Sequence, residues 1–466
     1  MKKQPNIIFI LIDDLGWTDL SSYGSSFYET PNLDRLAAGG MRFTDAYAAC
    51  PVCSPTRASI LSGKYPARLG LTNYIHVNNP GQQDRARLID APYVPFLDTK
   101  EKSLATTLQE SGYSTWHVGK WHLGDEKYWP EQHGFEVNIG GCHHGHPSDG
   151  YFSPWNIPNL ENGPDGEYLT DRLTDEAIGL VASKDSRPFF LNLWYYTVHT
   201  PIQGKPDLVE KYEKKARSLG LDRAKTFEEG EVFPKSESVN RRVRRRLIQS
   251  DPEYAAMVEC MDTNIGRLLE AVEEKGELDN TIVVFTSDNG GLATAEGSPT
   301  SNAPLNEGKG WMYEGGTREP LIVNWPGVIQ PNTLCREPVT SPDFYPTLLE
   351  LAGVESQPDQ HCDGVSFAPL LTGAGDLDRE AIYWHYPHYG NQGGTPGSSV
   401  RAGDWKLIEF YEDGRRELYH LRNDIGETVD LSGSRPDVTQ RLHSLLKNWR
   451  GEMEALEPVS NPDWTW

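Results

Sequence analysis

The chain has 466 residues, of which 37% are hydrophobic, so it can bury a large core and is expected to form one big domain with a smaller one. It carries 44 basic and 67 acidic residues, and the net charge of −23 disfavours nucleic acid or an anionic membrane surface as a partner. No segment approaches the length of a membrane span. Six cysteines are too few for a disulfide framework in a chain this long, which mildly favours a reducing compartment.

The N-terminal apolar run at residues 7–12 bears on localisation. It is too short for the hydrophobic region of a signal peptide and no small-residue cleavage site follows it, so we interpret it as a buried strand. If Met1 is the native start, the sequence predicts a cytoplasmic protein. If a signal peptide has been removed, it predicts a periplasmic or secreted one.

Strand-like apolar runs alternate with helical patterns along most of the chain, which is typical of an α/β fold. In chain order, the strands are predicted at residues 7–12, 115–118, 189–194, 281–285 and 321–325. Helices are predicted at residues 30–36 and 103–110, and a long one begins after Asp251-Pro252. The pattern predicts a large sheet with helices packed against it.

The character of the sequence changes at about residue 373. Residues 405–411 and 417–421 flank an Asp-Gly turn and predict a β-hairpin, and a final helix is expected at 438–449. We therefore expect an α/β domain at 1–372 and a smaller α+β domain at 373–466. The charged segment 214–246 is interpreted as an insertion. Its arginine run at 241–246 could contact a polyanion, but we favour a solvated helix face.

The most informative motif is the run Cys53-Ser54-Pro55-Thr56-Arg57. Pro55 suits the first turn of a helix and Gly63 can end it, so Cys53 is expected at a helix N-terminus. Free N–H groups and the helix dipole favour an anion there, and Arg57 lies one turn further on. Two other interpretations remain open: a buried structural cysteine, and a redox pair with Cys50 through C-x-x-C spacing.

Acidic pairs follow two of the predicted strands. Asp13-Asp14 comes after the first strand and Asp288-Asn289 after the strand at 281–285. Ligands in open α/β sheets bind beyond the carboxyl ends of strands, so the pairs can belong to one site. Adjacent carboxylates are costly where a strand leaves a core unless a cation neutralises them, and hard oxygen ligands suit Ca²⁺ or Mg²⁺. The alternative is that each pair forms a turn or a helix cap.

Basic side chains occupy three further loops. Lys120 and His122 follow the strand at 115–118, and His199 follows the strand at 189–194. Lys309 lies between two glycines, which let a backbone approach a ligand closely. Solvated lysines and packed histidines are the alternative interpretation of each motif.

Taken in order, these motifs resemble those of the type I sulfatases, the formylglycine-dependent, arylsulfatase-like members of the alkaline phosphatase superfamily. The shared patterns are Cys-x-Pro-x-Arg, Gly-Lys-x-His, His-x-Pro and Gly-Lys-Gly followed by Glu-Gly-Gly-x-Arg-x-Pro. They extend from Asp13 to Pro320, and a family-like strand begins at Arg401. Thr56 and Lys64 replace the more common Ser and Arg. The resemblance implies a large mixed sheet flanked by helices on both faces, with a smaller C-terminal α+β domain.

The resemblance also implies a modified nucleophile and a metal ion. A formylglycine-generating enzyme would oxidise Cys53 to Cα-formylglycine, whose hydrate attacks sulfur. A single Ca²⁺, or alternatively Mg²⁺, would be held by the ligand set Asp13, Asp14, Cys53, Asp288 and Asn289.

The remaining implied roles concern charge and protons. Lys120 and Lys309 would contact the sulfate oxygens, and Arg57 would orient the nucleophile. His122 would lie beside the nucleophile as a base, and His199 would donate a proton to the leaving oxygen.

The implied reaction is hydrolysis of a sulfate monoester. Segments rich in histidine and aromatic residues favour a sulfated saccharide as the substrate, such as 4-sulfated galactose or N-acetylgalactosamine. The candidate substrate contacts are His143, His385, His388 and Arg401. Two alternatives stay open: a formylglycine-dependent phosphodiesterase or phosphonate monoester hydrolase, and a non-catalytic protein that binds sulfated glycans.

Overall fold

A computed structural model describes residues 3–76, 86–234 and 241–464 of the chain. Within these ranges, no helix combines the length and apolar character that crossing a membrane requires. The α-helices are α1 (Pro31–Gly39), α2 (Cys53–Ser62), α3 (Pro66–Leu69), α4 (Leu104–Glu110), α5 (Leu169–Val181), α6 (Pro206–Ser218), α7 (Pro252–Glu274), α8 (Glu314–Thr317), α9 (Phe344–Ala352), α10 (Ala368–Thr372) and α11 (Pro436–Glu452).

The strands lie where the apolar runs predicted them, with additions. They are β1 (Asn6–Ile12), β2 (Met41–Tyr47), β3 (Leu88–Ile89), β4 (Ser114–Gly119), β5 (Val137–Ile139), β6 (Phe189–Trp194), β7 (Phe227–Val232), β8 (Arg242–Arg246), β9 (Thr281–Ser287), β10 (Arg318–Asn324), β11 (Thr333–Cys335), β12 (Val339–Thr340), β13 (Ile382–Tyr386), β14 (Gly397–Ala402), β15 (Trp405–Phe410), β16 (Arg416–His420) and β17 (Val459–Ser460).

The large sheet is mixed, which confirms the expected fold class. Its strand order is β11-β2-β10-β9-β1-β6-β4-β5, and β12 also pairs with β2. Strands β9, β1, β6, β4 and β5 run parallel to one another, whereas β10 is antiparallel to both of its neighbours. The carboxyl ends of β9, β1, β6 and β4 therefore meet at one edge of the sheet.

Helices cover both faces of this sheet, because successive side chains of a strand point to opposite sides. In β1, Ile8 and Ile10 join the core on the side of α1, α5 and α7, whereas Ile7 and Phe9 join the core on the side of α2, α4 and α9. All seven residues of β1 are buried, as expected for a central strand covered on both faces.

The C-terminal unit has its own antiparallel sheet, in the order β13-β14-β15-β16, and α11 packs against it. The predicted hairpin is the pair β15 and β16, and the predicted final helix is α11. One apolar cluster joins Trp384 and Ile408 of this sheet to Tyr47, Cys50 and Val52. The small sheet thus supports the segment that leads into Cys53. The boundary at residues 372/373, which follows the end of α10, stays a prediction.

The arginine run at 241–246 is not a helix face, and that expectation is wrong. Residues 242–246 form β8, which pairs antiparallel with β7. Val243 is buried against Ala295 and Trp311 while Arg242 and Arg244 on either side of it are exposed, as in a strand, although Arg246 is buried as well. Arg245 forms ion pairs with Glu228 and Glu307. The ribbon therefore packs beside the loop that carries Lys309.

Candidate active site

The predicted site residues come together at one edge of the large sheet. Asp13-Asp14 follows β1, Asp288-Asn289 follows β9, Lys120 and His122 follow β4, and His199 follows β6. These are the adjacent carboxyl ends described above. Backbone hydrogen bonds tie the loops together: Asp288 N–H donates to the Ile12 carbonyl (3.1 Å) and Lys120 N–H to the Trp194 carbonyl (2.7 Å). The expectation of a single site built from distant motifs is met by the fold.

Cys53 is the first residue of α2, a ten-residue helix that Gly63 ends in a left-handed conformation, as predicted. The side chain is buried, and Cys50 and Cys53 are both free thiols. Burial raises the pKa of the Cys53 thiol, although Lys120 and Lys309 lower it. A thiol of this kind is a poor thiolate nucleophile at neutral pH, so the site as built does not favour cysteine chemistry.

Arg57 is paired with acidic and backbone groups inside the site. Its guanidinium is fully buried, and Nε donates to Asp288 Oδ2 (2.8 Å) while Nη1 donates to the Lys120 carbonyl (3.1 Å). These contacts fix the position of Asp288 relative to the loop that carries Lys120. The role of Arg57 in orienting residue 53, one turn earlier in α2, stays a prediction.

His122 lies directly beside Cys53. Its Nδ1 is 3.4 Å from Cys53 Sγ, and its Nε2 is 2.5 Å from the Ile75 carbonyl oxygen. A carbonyl only accepts, so the proton must be on Nε2 and the lone pair of Nδ1 faces position 53. Burial, and then the charge of Lys120, lower the pKa of His122 well below its ordinary value. A neutral imidazole that presents a lone pair is the state required of a base.

The acid cluster fits a hard cation. Asp13, Asp14, Asp288 and Asn289 are all buried. Within the described residues, Oδ1 of Asp13 and Oδ1 of Asn289 are buried acceptors without a hydrogen-bond donor. Burial and the neighbouring carboxylates raise the pKa of Asp13 well above its ordinary value. Orphaned acceptors among like charges are what a bound Ca²⁺ or Mg²⁺ would neutralise, and the donor set is oxygen only.

Two lysines and a histidine face the same carboxylates. Lys120 Nζ is 2.6 Å from Asp13 Oδ2, and Lys309 Nζ is 2.8 Å from Asp14 Oδ2 and 3.0 Å from His199 Nε2. Burial lowers the pKa of Lys309, but Asp14, Glu296 and the other acidic neighbours together outweigh it and the pKa is raised. Three cationic or polar groups thus converge on one buried region despite the net charge of −23.

His199 is held in one tautomer. Its Nδ1 is 2.9 Å from the Thr200 carbonyl oxygen, so Nδ1 carries the proton and Nε2 faces Lys309. Burial, and then Lys309, lower the pKa of His199 well below its ordinary value. In the absence of substrate His199 is therefore neutral, and it must acquire a proton at Nε2 before it can donate one.

Four of the nine described non-glycine residues with positive φ lie in the loops of this site or next to them. Asp14 (φ 64°), His122 (φ 58°), Glu296 (φ 52°) and Glu307 (φ 57°) adopt the left-handed conformation although none is glycine. Such residues cost roughly 1–3 kcal/mol each and cluster where function requires a particular side-chain direction. Asp14 and His122 are two of the groups that the sequence predicted for the site.

Two predicted substrate contacts lie around the site without entering its polar network. The ring of His143 is half-buried and packs 4.6 Å from His144, in the loop whose Cys142 carbonyl accepts from His122 N–H. His388 is buried, with Nε2 2.8 Å from Thr72 Oγ1, and it supports the segment that leads to Ile75.

The other two predicted contacts are engaged inside the protein, and the structure argues against their role. Arg401 pairs with Asp45 (2.7 Å), donates to the Gly403 carbonyl (3.0 Å) and also contacts Tyr47. His385 has Ser398 Oγ at 2.7 Å from Nδ1 and the Leu456 carbonyl at 3.0 Å from Nε2. Sequence could not reveal this, because both residues lie on strands whose inner and outer faces depend on register.

His385 therefore predicts a pH dependence of stability. Burial lowers its pKa to about 4 from 6.5, so the neutral form stabilises the fold fully above pH 6.5 and this contribution is lost as pH falls towards 4. Between pH 8 and 5, the free energy of unfolding of the wild type should decrease by about 2 kcal/mol more than that of His385→Gln. Denaturant titrations at both pH values measure this, and parallel losses in the two proteins would contradict it.

Sequence reasoning missed two contributors to the site. The Ile75 carbonyl sets the tautomer of His122, and no side-chain pattern marks a backbone acceptor. Glu296 accepts hydrogen bonds from Thr200, Asn391 and Gln392 and lies beside the histidine loop. The sequence signal for Glu296 is weak: a turn residue followed by a glycine, whose left-handed backbone is seen only in the structure.

A nucleophile position at a helix N-terminus, a neutral imidazole beside it and lysines facing an acid cluster define a hydrolase of anionic esters on an α/β sheet. The chain belongs to the sulfatase family, whose profile matches residues 5–354. Residues 307–452 match the profile described as N-sulphoglucosamine sulphohydrolase, C-terminal. The protein is accordingly a sulfuric ester hydrolase of the alkaline phosphatase superfamily.

Relatives match over nearly the whole chain. A sulfatase from Formosa agariphila is 34% identical, covering 96% of this chain and 89% of that protein. Human N-acetylgalactosamine-6-sulfatase is 30% identical, covering 98% and 87%. The crystal structure of Ps i-CgsB in complex with k-i-k-neocarrahexaose superposes with a TM-score of 0.75 at 29% identity, covering 99% of this chain and 95% of that chain.

Proposed function

We propose that this protein hydrolyses a sulfate monoester of a carbohydrate, using a formylglycine derived from Cys53 and a calcium ion held by the acid cluster. The observation that carries the proposal is the lone pair of His122 Nδ1 facing residue 53 at 3.4 Å. A free cysteine gains little from a neutral base while its own pKa is raised by burial. An oxygen nucleophile at the same position would be deprotonated by that base.

The carbohydrate part of the proposal draws on the relatives and on the site. One relative is named for N-acetylgalactosamine 6-sulfate and another structure holds k-i-k-neocarrahexaose. A galacto-configured sugar sulfate is thus the substrate class to test first, at positions 4 and 6. Around the site, the half-buried ring of His143, the exposed ring of His146 and the side chain of Tyr74 offer the polar and aromatic surface that binds sugars.

The roles of the protein groups follow from their contacts. Lys120 and Lys309 each carry an ammonium that can donate to sulfate oxygens, and donors fixed in a buried site stabilise charge strongly. When bound, the cation supplies further neutralisation of the sulfate charge. His122 holds a lone pair ready for a proton at Nδ1. His199 is the candidate donor to the leaving oxygen once its Nε2 has taken a proton from the adjacent Lys309 ammonium, 3.0 Å away.

The experiment is sulfate release, measured by ion chromatography, after coexpression with a formylglycine-generating enzyme. Substrates are N-acetylgalactosamine 4-sulfate and 6-sulfate, galactose 4-sulfate, 4-nitrophenyl sulfate, and a phosphate diester and a phosphonate monoester as competitors. Turnover of a sugar sulfate well above that of the phosphorus esters supports the proposal. Preference for the phosphorus esters, or activity on the aryl sulfate alone, would refute it.

The role of His199 predicts a dependence on the leaving group. A sugar hydroxylate is a poor leaving group and needs a proton, whereas 4-nitrophenolate does not. His199→Gln should therefore slow hydrolysis of a sugar sulfate by about 100-fold or more but that of 4-nitrophenyl sulfate by only a few-fold. Steady-state kcat for both substrates is the measurement. Equal losses on the two would show that His199 serves binding or packing and not proton transfer.

A further inference from the structure

The exposed carboxylate of Glu296 lies beside the groups proposed to bind sulfate, among them Lys309 and His199. In the stretch 291–300, only Glu296 and Gly297 are exposed, and both have left-handed backbone, with φ of 52° and 92°. The neighbouring Ala295 is buried against Trp311, which anchors the turn next to the Lys309 loop. The fold thus accepts a strained residue in order to hold this side chain at the surface.

The carboxylate joins the C-terminal unit to the His199 loop. Oε1 accepts from Asn391 Nδ2 (2.9 Å) and Gln392 Nε2 (3.0 Å). Oε2 is 3.4 Å from Thr200 Oγ1, which is itself 3.2 Å from His199 Nδ1. An ionised carboxylate offers about four acceptor positions, so Oε2, with one long contact, can accept from a further donor such as a sugar hydroxyl.

The charge of Glu296 is felt by the groups of the site. Against the effect of burial, Glu296 and Asp14 favour the charged form of Lys309, whose pKa is raised. Burial and then Lys120 lower the pKa of His146, and Glu296 opposes that lowering. His146 stacks on His199 with ring centroids 5.8 Å apart. A negative charge among groups that bind sulfate weakens the attraction of the site for every anion. We therefore expect this carboxylate to contribute something else to substrate binding.

We propose that Glu296 determines substrate specificity: its carboxylate accepts a hydrogen bond from a hydroxyl of the sugar that carries the scissile sulfate, and rejects sugars with a second anionic group. This inference rests on the proposed function, since it assigns a selectivity to the same site. The substrate class becomes a monosulfated, otherwise neutral sugar unit. A residue serving only as a brace between Asn391 and Thr200 would hold the loops but would not rank ligands by charge.

The test uses binding, so it does not depend on turnover. Calorimetry measures the dissociation constants of N-acetylgalactosamine 4-sulfate, 6-sulfate and 4,6-disulfate for full-length Cys53→Ala protein, with and without Glu296→Gln. Glutamine keeps an acceptor for Asn391 and Gln392 but removes the charge. The ratio of the disulfate constant to the tighter monosulfate constant should fall by about 5- to 10-fold in Glu296→Gln, and less at about 0.5 M salt.

The matched control is Glu277→Gln. Glu277 also accepts from an asparagine, Asn6, and pairs with Lys3, but it lies at the opposite end of the sheet, before β9. The Glu277→Gln substitution makes the same change in net charge and should leave the ratio of the disulfate and monosulfate dissociation constants unchanged. The inference is overturned if Glu296→Gln leaves the ratio unchanged, if Glu277→Gln shifts it equally, or if none of the three sugars binds. If the matured wild type releases no sulfate while Glu296→Gln still shifts the ratio, the proposed hydrolysis is wrong. The proposed selectivity of Glu296 then still holds.

Discussion

Replacing Cys53 by alanine should abolish sulfate release, by at least about 1,000-fold, while the fold and calcium binding persist. The side chain at position 53 is the group that His122 Nδ1 faces, so its removal leaves the base without a nucleophile. Alanine suits the first turn of α2 and removes one buried sulfur only. Sulfate release, circular dichroism and calcium titration of both proteins are the measurements.

The control for Cys53→Ala is Cys335→Ala, since Cys335 is also buried but lies in β11 at the far edge of the sheet. The control variant should bear a comparable packing cost and keep full activity. Retained sulfate release by Cys53→Ala would refute the assignment of the nucleophile position.

Removal of calcium should have the second-largest effect. Dialysis against a chelator should lower sulfate release by at least about 100-fold and the melting temperature by several degrees, because binding free energy is lost from the folded state. Without a cation, Asp13, Asp14 and Asp288 remain buried together, with Lys120, Lys309 and Arg57 to offset their charge. Added Ca²⁺ should restore both properties.

Two additions sharpen the chelation experiment. If Mg²⁺ and not Ca²⁺ restored activity and melting temperature, the ion would be magnesium and the proposed ligands would be unchanged. Asn289→Ala removes a buried, unpaired acceptor without altering charge, so it should weaken the calcium-dependent rise in melting temperature. A protein that is verified free of metal and still fully active would contradict the metal assignment.

Much of the fold could be predicted because it depends on local patterns. The run at residues 7–12 is apolar throughout and became a strand covered on both faces, and Asp251-Pro252 opens α7 with the aspartate side chain accepting from Glu253 N–H. The location of the site could be predicted for a similar reason. Motifs after β1, β4, β6 and β9 had to meet once those strands proved parallel and adjacent.

What sequence could not supply depends on register and on charge pairing across the fold. Val243 is the single buried apolar side chain between arginines 242 and 244, which is too short a pattern to separate strand from helix. Arg401 and His385 looked free to bind a sugar until their partners Asp45 and Leu456 were placed. The ion pair of Arg57 with Asp288 could not be predicted, because nothing in the sequence shows that these two side chains face each other.

The most direct test of the account is the dependence of activity on the chemical state of residue 53. Protein is prepared with and without coexpressed formylglycine-generating enzyme, and peptide mass spectrometry gives the fraction of Cys53 converted to the aldehyde. Sulfate release from the best sugar sulfate should be proportional to that fraction and should vanish when the fraction is zero. Undiminished sulfate release by protein that carries only cysteine at position 53 would contradict it.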